Sequence, residues 1–129
     1  MIEAKELMLG DWLKYGNLDK IVKVTALYGN QVNTNAITPL FLDDLEPIPI
    51  TPEILEKNGW ELFRFGNSYC MQIHIQMAGD GFEMQDITIH RMKVLEVHTS
   101  TSTLYMPIKY VHQLQHALKL CGIEKEIKL

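Results

Sequence analysis

Alternation of apolar and polar residues over positions 69–77 constrains the fold of this chain more than any other feature. Five apolar residues occupy the odd positions: Tyr69, Met71, Ile73, Ile75 and Met77. Polar residues occupy three of the even positions: Gln72, His74 and Gln76. Because successive side chains of a strand point to opposite faces, this pattern predicts a β-strand with one buried face. The glycine-rich segment 78–81 then predicts a hairpin and a return strand.

Shorter segments on both sides have the same character. Strands are predicted at 12–15, 21–28, 31–34 and 92–97, most of them bounded by turn residues such as Gly16-Asn17 and Gly29-Asn30. Pro39 makes the segment 37–42 an edge strand or an irregular stretch. In the return strand the apolar phase changes between Met84 and Ile87, which predicts a β-bulge or a break there.

Two helices are predicted. Thr51 followed by Pro52 and Glu53 is typical of a helix start, and Gly59 of a helix end. A longer helix is predicted to begin at Pro107 and to end before Gly122. It carries an apolar stripe at helical spacing: Ile108, Val111, Leu114, Leu118 and Cys121.

This order of elements predicts an α+β protein rather than an alternating α/β fold. Residues 1–51 are predicted to form a small bent β unit of the SH3-like barrel type. Residues 52–129 are predicted to form an antiparallel sheet packed by the short helix and the longer C-terminal helix. The two parts are expected to pack together as one compact domain.

Composition narrows the functional classes. The net charge is −4 and only two arginines, Arg64 and Arg91, are present, so nucleic-acid binding is disfavoured. No apolar run is long enough for a signal peptide or a membrane span, and cytoplasmic location is the expectation. Cys70 and Cys121 are expected to be reduced, buried thiols.

His112 and His116 are four residues apart on the predicted helix, a spacing that suits two imidazoles on one metal ion. A zinc protease helix needs a glutamate directly after the first histidine, and Gln113 occupies that position. No third ligand has a fixed spacing either. The sequence therefore predicts no metal ligands, no cofactor and no catalytic residues, and Ser68 does not lie in a nucleophile elbow.

Aromatic residues are the better candidates for a binding role. Trp12 and Tyr28 lie near the first turns, where small SH3-type barrels present aromatic side chains to ligands. On the last helix, Tyr110, His112 and His116 are predicted to form an exposed surface for a protein partner, or for a second copy in a homodimer.

Three segments together carry a resemblance to a known family: residues 6–12 (Glu-Leu-Met-Leu-Gly-Asp-Trp), 45–59 around Pro47-Ile48-Pro49 and Thr51-Pro52, and 110–118 around His112 and His116. They resemble a family of small uncharacterised Bacteroidales proteins, many of them associated with phage or mobile elements. The resemblance implies a bacterial or phage context and no known activity.

The sequence thus favours a non-catalytic binding or interaction protein of a bacterial mobile element or phage. Two alternatives stay open: a metal-assisted hydrolase using His112 and His116, and a nucleic-acid-associated accessory protein. The predicted binding residues are Trp12, Tyr28, Tyr110, His112 and His116.

Overall fold

The structure is a computed structural model. It describes residues 6–15, 20–29, 31–35, 40–62, 68–76, 82–98, 103–121, 123 and 125–129. The chain divides into two compact units: Met1–Pro49 with Tyr110–His116, and Ile50–Lys109 with Ala117–Leu129. The division into domains stays a prediction.

Among its described residues, the first unit contains five short strands and a 3-10 turn between the last two of them. The strands are β1 (Trp12–Tyr15), β2 (Lys20–Tyr28), β3 (Gln31–Thr34), β4 (Leu40–Phe41) and β5 (Leu45–Pro47), with the 3-10 turn at Leu42–Asp44. They form an antiparallel sheet in the order β4-β3-β2-β1-β5. The long strand β2 pairs with β1 through its first half and with β3 through its second half, and its register shifts between Val24 and Ala26.

One face of this sheet supplies the core of the first unit. Six buried apolar residues form one cluster: Leu7, Leu13, Val22, Val24, Val32 and Leu45. Leu13 of β1 pairs with Val22 of β2. Directly paired residues of neighbouring strands point to the same face of the sheet, so both side chains lie on the core side. Tyr15, Leu27 and Leu42 pack against this cluster while remaining partly exposed.

The second unit contains the second sheet and the short helix. The elements are α1 (Pro52–Lys57), β6 (Glu61–Leu62), β7 (Ser68–Gln76), β8 (Phe82–His90), β9 (Val94–His98) and β10 (Thr103–Pro107). The strands pair antiparallel in the order β10-β9-β8-β7-β6. The alternation at 69–77 therefore correctly predicted a strand, since residues 68–76 form β7.

Helix α1 begins as predicted. The Thr51 hydroxyl accepts a hydrogen bond from the Ile54 N–H at 3.3 Å, and Pro52 is the first helical residue. The helix ends at Asn58, and Gly59 follows with a φ of 96°. The Asn58 amide then binds the C-terminal segment: Nδ2 donates to the Lys128 carbonyl and Oδ1 accepts from the Lys128 N–H, both at 2.7 Å.

Helix α2 (Val111–Leu120) begins four residues later than predicted. Pro107 is the last residue of edge strand β10, where its missing N–H removes no hydrogen bond within the sheet. Tyr110 precedes the helix, and the Gln113 side chain accepts from its N–H at 3.1 Å, so this side chain caps the first turn. Gln113 thus has a structural role at the position where a zinc protease carries its catalytic glutamate.

The predicted bulge in β8 is wrong. Pairing of β7 with β8 runs without a shift from Gln76↔Phe82 to Ser68↔His90, so the apolar phase changes while the backbone register does not. The irregular register lies instead in β2.

Two antiparallel sheets and two helices confirm the α+β class. Among the described residues no ladder joins β4 to β5, so the closure of an SH3-like barrel stays a prediction, as does the packing of both helices on the second sheet. No helix within the described residues combines the length and the apolar character needed to cross a membrane.

Candidate functional site

Asp11 is the centre of a cluster in the first unit that the sequence did not predict. A turn formed by residues 8–11 precedes β1: the Asp11 N–H donates to the Met8 carbonyl at 3.2 Å, and Gly10 has a φ of 92°. Oδ2 of Asp11 accepts from the Met8 N–H at 2.8 Å. The turn is therefore closed by the side chain of Asp11 as well as by its backbone N–H. Asp11 is fully buried.

Two neighbouring residues of helix α2 hold this turn. Gln115 accepts from the Trp12 N–H and donates to the Gly10 carbonyl, both at 2.9 Å, so its amide satisfies the backbone on either side of Asp11. His116 Nε2 lies 2.7 Å from Oδ2 and 2.8 Å from Oδ1 of Asp11. Because a carboxylate only accepts, the Nε2–H of His116 donates to it, and a buried charge acquires the partner that it needs.

His112 lies beside His116 and is almost fully buried, with 2% of its surface exposed. Its ring stacks on Tyr110 with centroids 5.9 Å apart and meets His116 edge-on with centroids 5.7 Å apart. Burial lowers the pKa of His112 below its usual value of 6.5, and His116 lowers it further, against opposing effects of Asp11 and Glu6. His112 is therefore a neutral ring inside the cluster.

Asp11 and His116 use their polar atoms within the fold. Both oxygens of Asp11 lie within hydrogen-bond distance of Nε2 of His116. Nδ1 of His112 is buried and has no hydrogen-bond partner among the described residues. Among the described residues, no three side chains of the His, Cys, Asp and Glu types are grouped as a metal site would require. Whether the protein binds a metal ion in solution stays a prediction.

The predicted binding residues thus have different environments. Tyr110, His112 and His116 do lie together, but His112 is buried and only 26% of the His116 side chain is exposed. Trp12 is partly buried, and the Lys23 ammonium lies 5.5 Å from the centroid of its ring in a cation–π contact.

Tyr28 is the predicted binding residue that solvent reaches most freely, with 63% of its surface exposed. It ends β2, where it pairs with Gln31 of β3, and Gln31 pairs in turn with Phe41 of β4. Directly paired residues of antiparallel strands point to the same face. Tyr28, Gln31 and Phe41 therefore form one row on the outer face of the first sheet, which we call the outer aromatic face.

Phe41 also belongs to this face, and no pattern in the sequence predicted it. Its ring is 49% exposed, a large fraction for phenylalanine. The next set of paired residues along the strands is Leu27↔Val32 and Val32↔Leu40. Val32 in this set is fully buried in the core, so the row with Phe41 lies on the opposite face. Only the strand register shows that Phe41 lies beside Tyr28, because thirteen positions separate them in the chain.

Compared with family models, with curated proteins and with solved structures, the chain has no significant match in any of the three.

Proposed function

We propose that the first unit of the protein is a non-catalytic binding module whose outer aromatic face binds an extended segment of a protein partner. The observation that carries this proposal is the row of Tyr28, Gln31 and Phe41, in which two exposed aromatic rings flank one amide. Aromatic residues are enriched in protein interfaces, because each ring buries a large area at a low entropic cost.

The face has no evident role in the folding of the first unit. The buried cluster of that unit lies on the opposite face of the same strands: Val32 follows Gln31 in β3, and Val24 lies before the register shift in β2. Exposed Tyr28 and Phe41 gain little from folding, whereas a partner would remove both rings from water. Gln31 between them can donate to and accept from the backbone of a bound segment.

Charge indicates the chemistry of the partner. Asp43 and Asp44, both exposed, lie in the 3-10 turn that follows Phe41, and the chain has a net charge of −4. A segment with apolar side chains for the two rings and at least one lysine or arginine for the acidic turn would complement this edge of the sheet.

An SH3-like barrel for the first unit is part of the proposal. It is supported by the strand order β4-β3-β2-β1-β5, by the 3-10 turn between β4 and β5, and by the shared strand β2 with its shifted register. An accessory role for a bacterial phage or mobile element in the cytoplasm rests on the sequence resemblance alone.

The two alternatives from the sequence have less support. Metal-assisted hydrolysis would need His112 and His116 as ligands, and His116 is bonded to Asp11 while His112 is buried. A nucleic-acid-associated role is opposed by the negative net charge.

A peptide-display selection against the full chain tests the proposal. We expect the enriched peptides to combine apolar and basic residues, and their dissociation constants to rise by about tenfold or more in Tyr28→Ala and Phe41→Ala, the loss typical of hot-spot aromatic residues. Asp43→Asn/Asp44→Asn should weaken binding less, and the effect should shrink at high salt.

Ile21→Ala is the matched control, because Ile21 is an exposed apolar residue of the same strand, away from the row. Its affinity should equal that of the wild type. The proposal fails if no peptide is enriched, or if the enriched peptides bind Tyr28→Ala, Phe41→Ala and Ile21→Ala equally well. Self-association through this face would appear in light scattering as a dimer that Tyr28→Ala dissociates, which would replace the partner by a second copy.

A further inference from the structure

A second group of polar side chains lies on one face of the second sheet, where the sequence predicted no site. Ser68 is the first residue of β7 and pairs with His90, the last residue of β8. Ser68 Oγ lies 3.1 Å from His90 Nδ1. On the far side of the same imidazole, Nε2 lies 3.3 Å from Glu96 Oε2, and Glu96 belongs to β9. Serine, histidine and glutamate thus follow one another across three strands.

The protonation of this row follows from the carboxylate. Glu96 can only accept, so Nε2 of His90 carries the proton and Nδ1 has a free lone pair for the Ser68 hydroxyl. The Tyr105 hydroxyl on β10 donates a hydrogen bond to Glu96, and this bond lowers the pKa of Glu96. The hydrogen bond with His90 and the charges of His90 and His98 lower that pKa further, whereas burial raises it. The row therefore has a nucleophile, a base and a group that orients the base.

From this geometry we propose that Ser68 is a nucleophile, activated by His90, that accepts the acyl group of a small ester. Glu96 and Tyr105 are positioning residues, since they act through His90. The imidazole is accessible to a small molecule, because 41% of the His90 side chain is exposed. This activity lies in the second unit and is independent of the binding function proposed for the first.

The step balances in atoms and charge. Ser68 Oγ bonds to the carbonyl carbon of the ester while its proton passes to Nδ1 of His90. The C–O bond to the alcohol then breaks, and the alcohol leaves with that proton. Water attacks the acyl-serine in the same way, so that one ester and one water give one acid and one alcohol, with Ser68 restored.

A strained turn directly follows His90. Arg91 and Met92 have φ values of 51° and 60°, in a region that residues other than glycine rarely adopt. The Lys93 N–H donates to the His90 carbonyl at 2.9 Å and closes this turn. The turn joins β8 to β9, the two strands that carry His90 and Glu96.

Several other ionisable groups share the sheet face or the turn beside His90: Glu61, Cys70, Asp86, Arg91, Lys93, Glu96, His98 and Tyr105. Cys70 requires particular care, because it lies two residues from Ser68 in β7 and accepts a weak hydrogen bond from Thr88 at 3.5 Å. A thiol at that place would compete for acyl reagents, so the assay has to distinguish sulfur from oxygen.

The test uses the full chain with Cys70→Ala and two probes, p-nitrophenyl acetate and an alkyl fluorophosphonate. The fluorophosphonate forms an O–P bond to Ser68 and releases fluoride, and tandem mass spectrometry then locates the label. Trypsin places Ser68 in peptide 65–91, and Ser100 and Ser102 in peptide 94–109. We expect the label on Ser68, and a fall of about 100-fold or more in its rate for His90→Gln, the loss typical of a missing general base.

Glu96→Gln should also slow the reaction, whereas Leu104→Ala is the control, since Leu104 is an exposed residue of β10 that pairs with Val97, outside the row. In Cys70→Ala itself the rate should level off at alkaline pH instead of rising in proportion to hydroxide, a readout that needs no folded variant of His90. The proposal is overturned if Ser68 is not labelled, if His90→Gln and Glu96→Gln react as fast as Leu104→Ala, or if the rate follows hydroxide alone.

Discussion

His116 of helix α2 directs a single N–H at both carboxylate oxygens of Asp11, at 2.7 and 2.8 Å, although 105 positions separate the two residues. Asp11 is completely buried, so His116 is the ionisable partner that makes this charge tolerable. The pair fixes the turn before β1 to the first half of the helix.

We expect His116→Ala to lower the free energy of unfolding by about 2–4 kcal/mol, because it leaves the Asp11 carboxylate buried without its partner. Asp11→Ala should cost a similar amount. In a double-mutant cycle, the free energy of unfolding that the double variant loses should be smaller than the sum of the losses of the two single variants. We expect the difference to be about 1 kcal/mol or more. Urea denaturation measures these values, with Leu120→Ala, at an exposed position of the same helix, as the control. Strictly additive losses would show that the pair is not coupled.

The folded state should lose stability as the pH falls below about 6.5, the pKa of histidine in an unfolded chain. Burial lowers the pKa of His112 in the folded protein, so the unfolded chain binds a proton first. Its contribution is complete above pH 6.5 and is lost as the pH falls toward the lowered folded value. Urea midpoints at pH 7.5 and 5.5 should differ more for the wild type than for His112→Gln. Equal losses in both proteins would contradict this origin.

Signals within a few residues of one another predicted the structure well. Thr51 and Pro52 predicted the start of α1 because a cap acts on the next turn, and Thr51 does accept from Ile54. The alternation at 69–77 predicted β7 for the same reason, since the period belongs to one strand.

The sequence did not predict the contacts between residues that lie far apart in the chain. No spacing rule connects Asp11 with His116, and none connects Ser68 with Glu96, because strand register decides which side chains meet. Pro107 misled the prediction of α2, since proline suits the last position of an edge strand as well as the first turn of a helix. Tyr28 was predicted as a binding residue, but its neighbour Phe41 needed the register.

Asn58 should matter more than its place at the end of a short helix suggests. Its amide donates to the carbonyls of Ile54 and Lys128 and accepts from the Lys128 N–H, and it is buried. We expect Asn58→Ala to cost about 2–3 kcal/mol, because it leaves buried backbone groups without partners. Asn58→Asp keeps the acceptor and loses both donated bonds, so its thermal midpoint should lie at or below that of the wild type. A midpoint for Asn58→Ala within 1 °C of the wild type would contradict the role assigned to this amide.

The outer aromatic face, rather than the exposed edge of helix α2, is the surface that we propose to bind the partner. An NMR titration of the isotope-labelled chain with a selected peptide tests it most directly, because each backbone amide reports separately. The account predicts that the largest shift changes occur at Tyr28, Gln31 and Phe41 and their strand neighbours, and that Tyr28→Ala abolishes them at the same peptide concentration. The largest changes at Tyr110–His116 or in the second unit, with the Tyr28 amide unmoved, would contradict it.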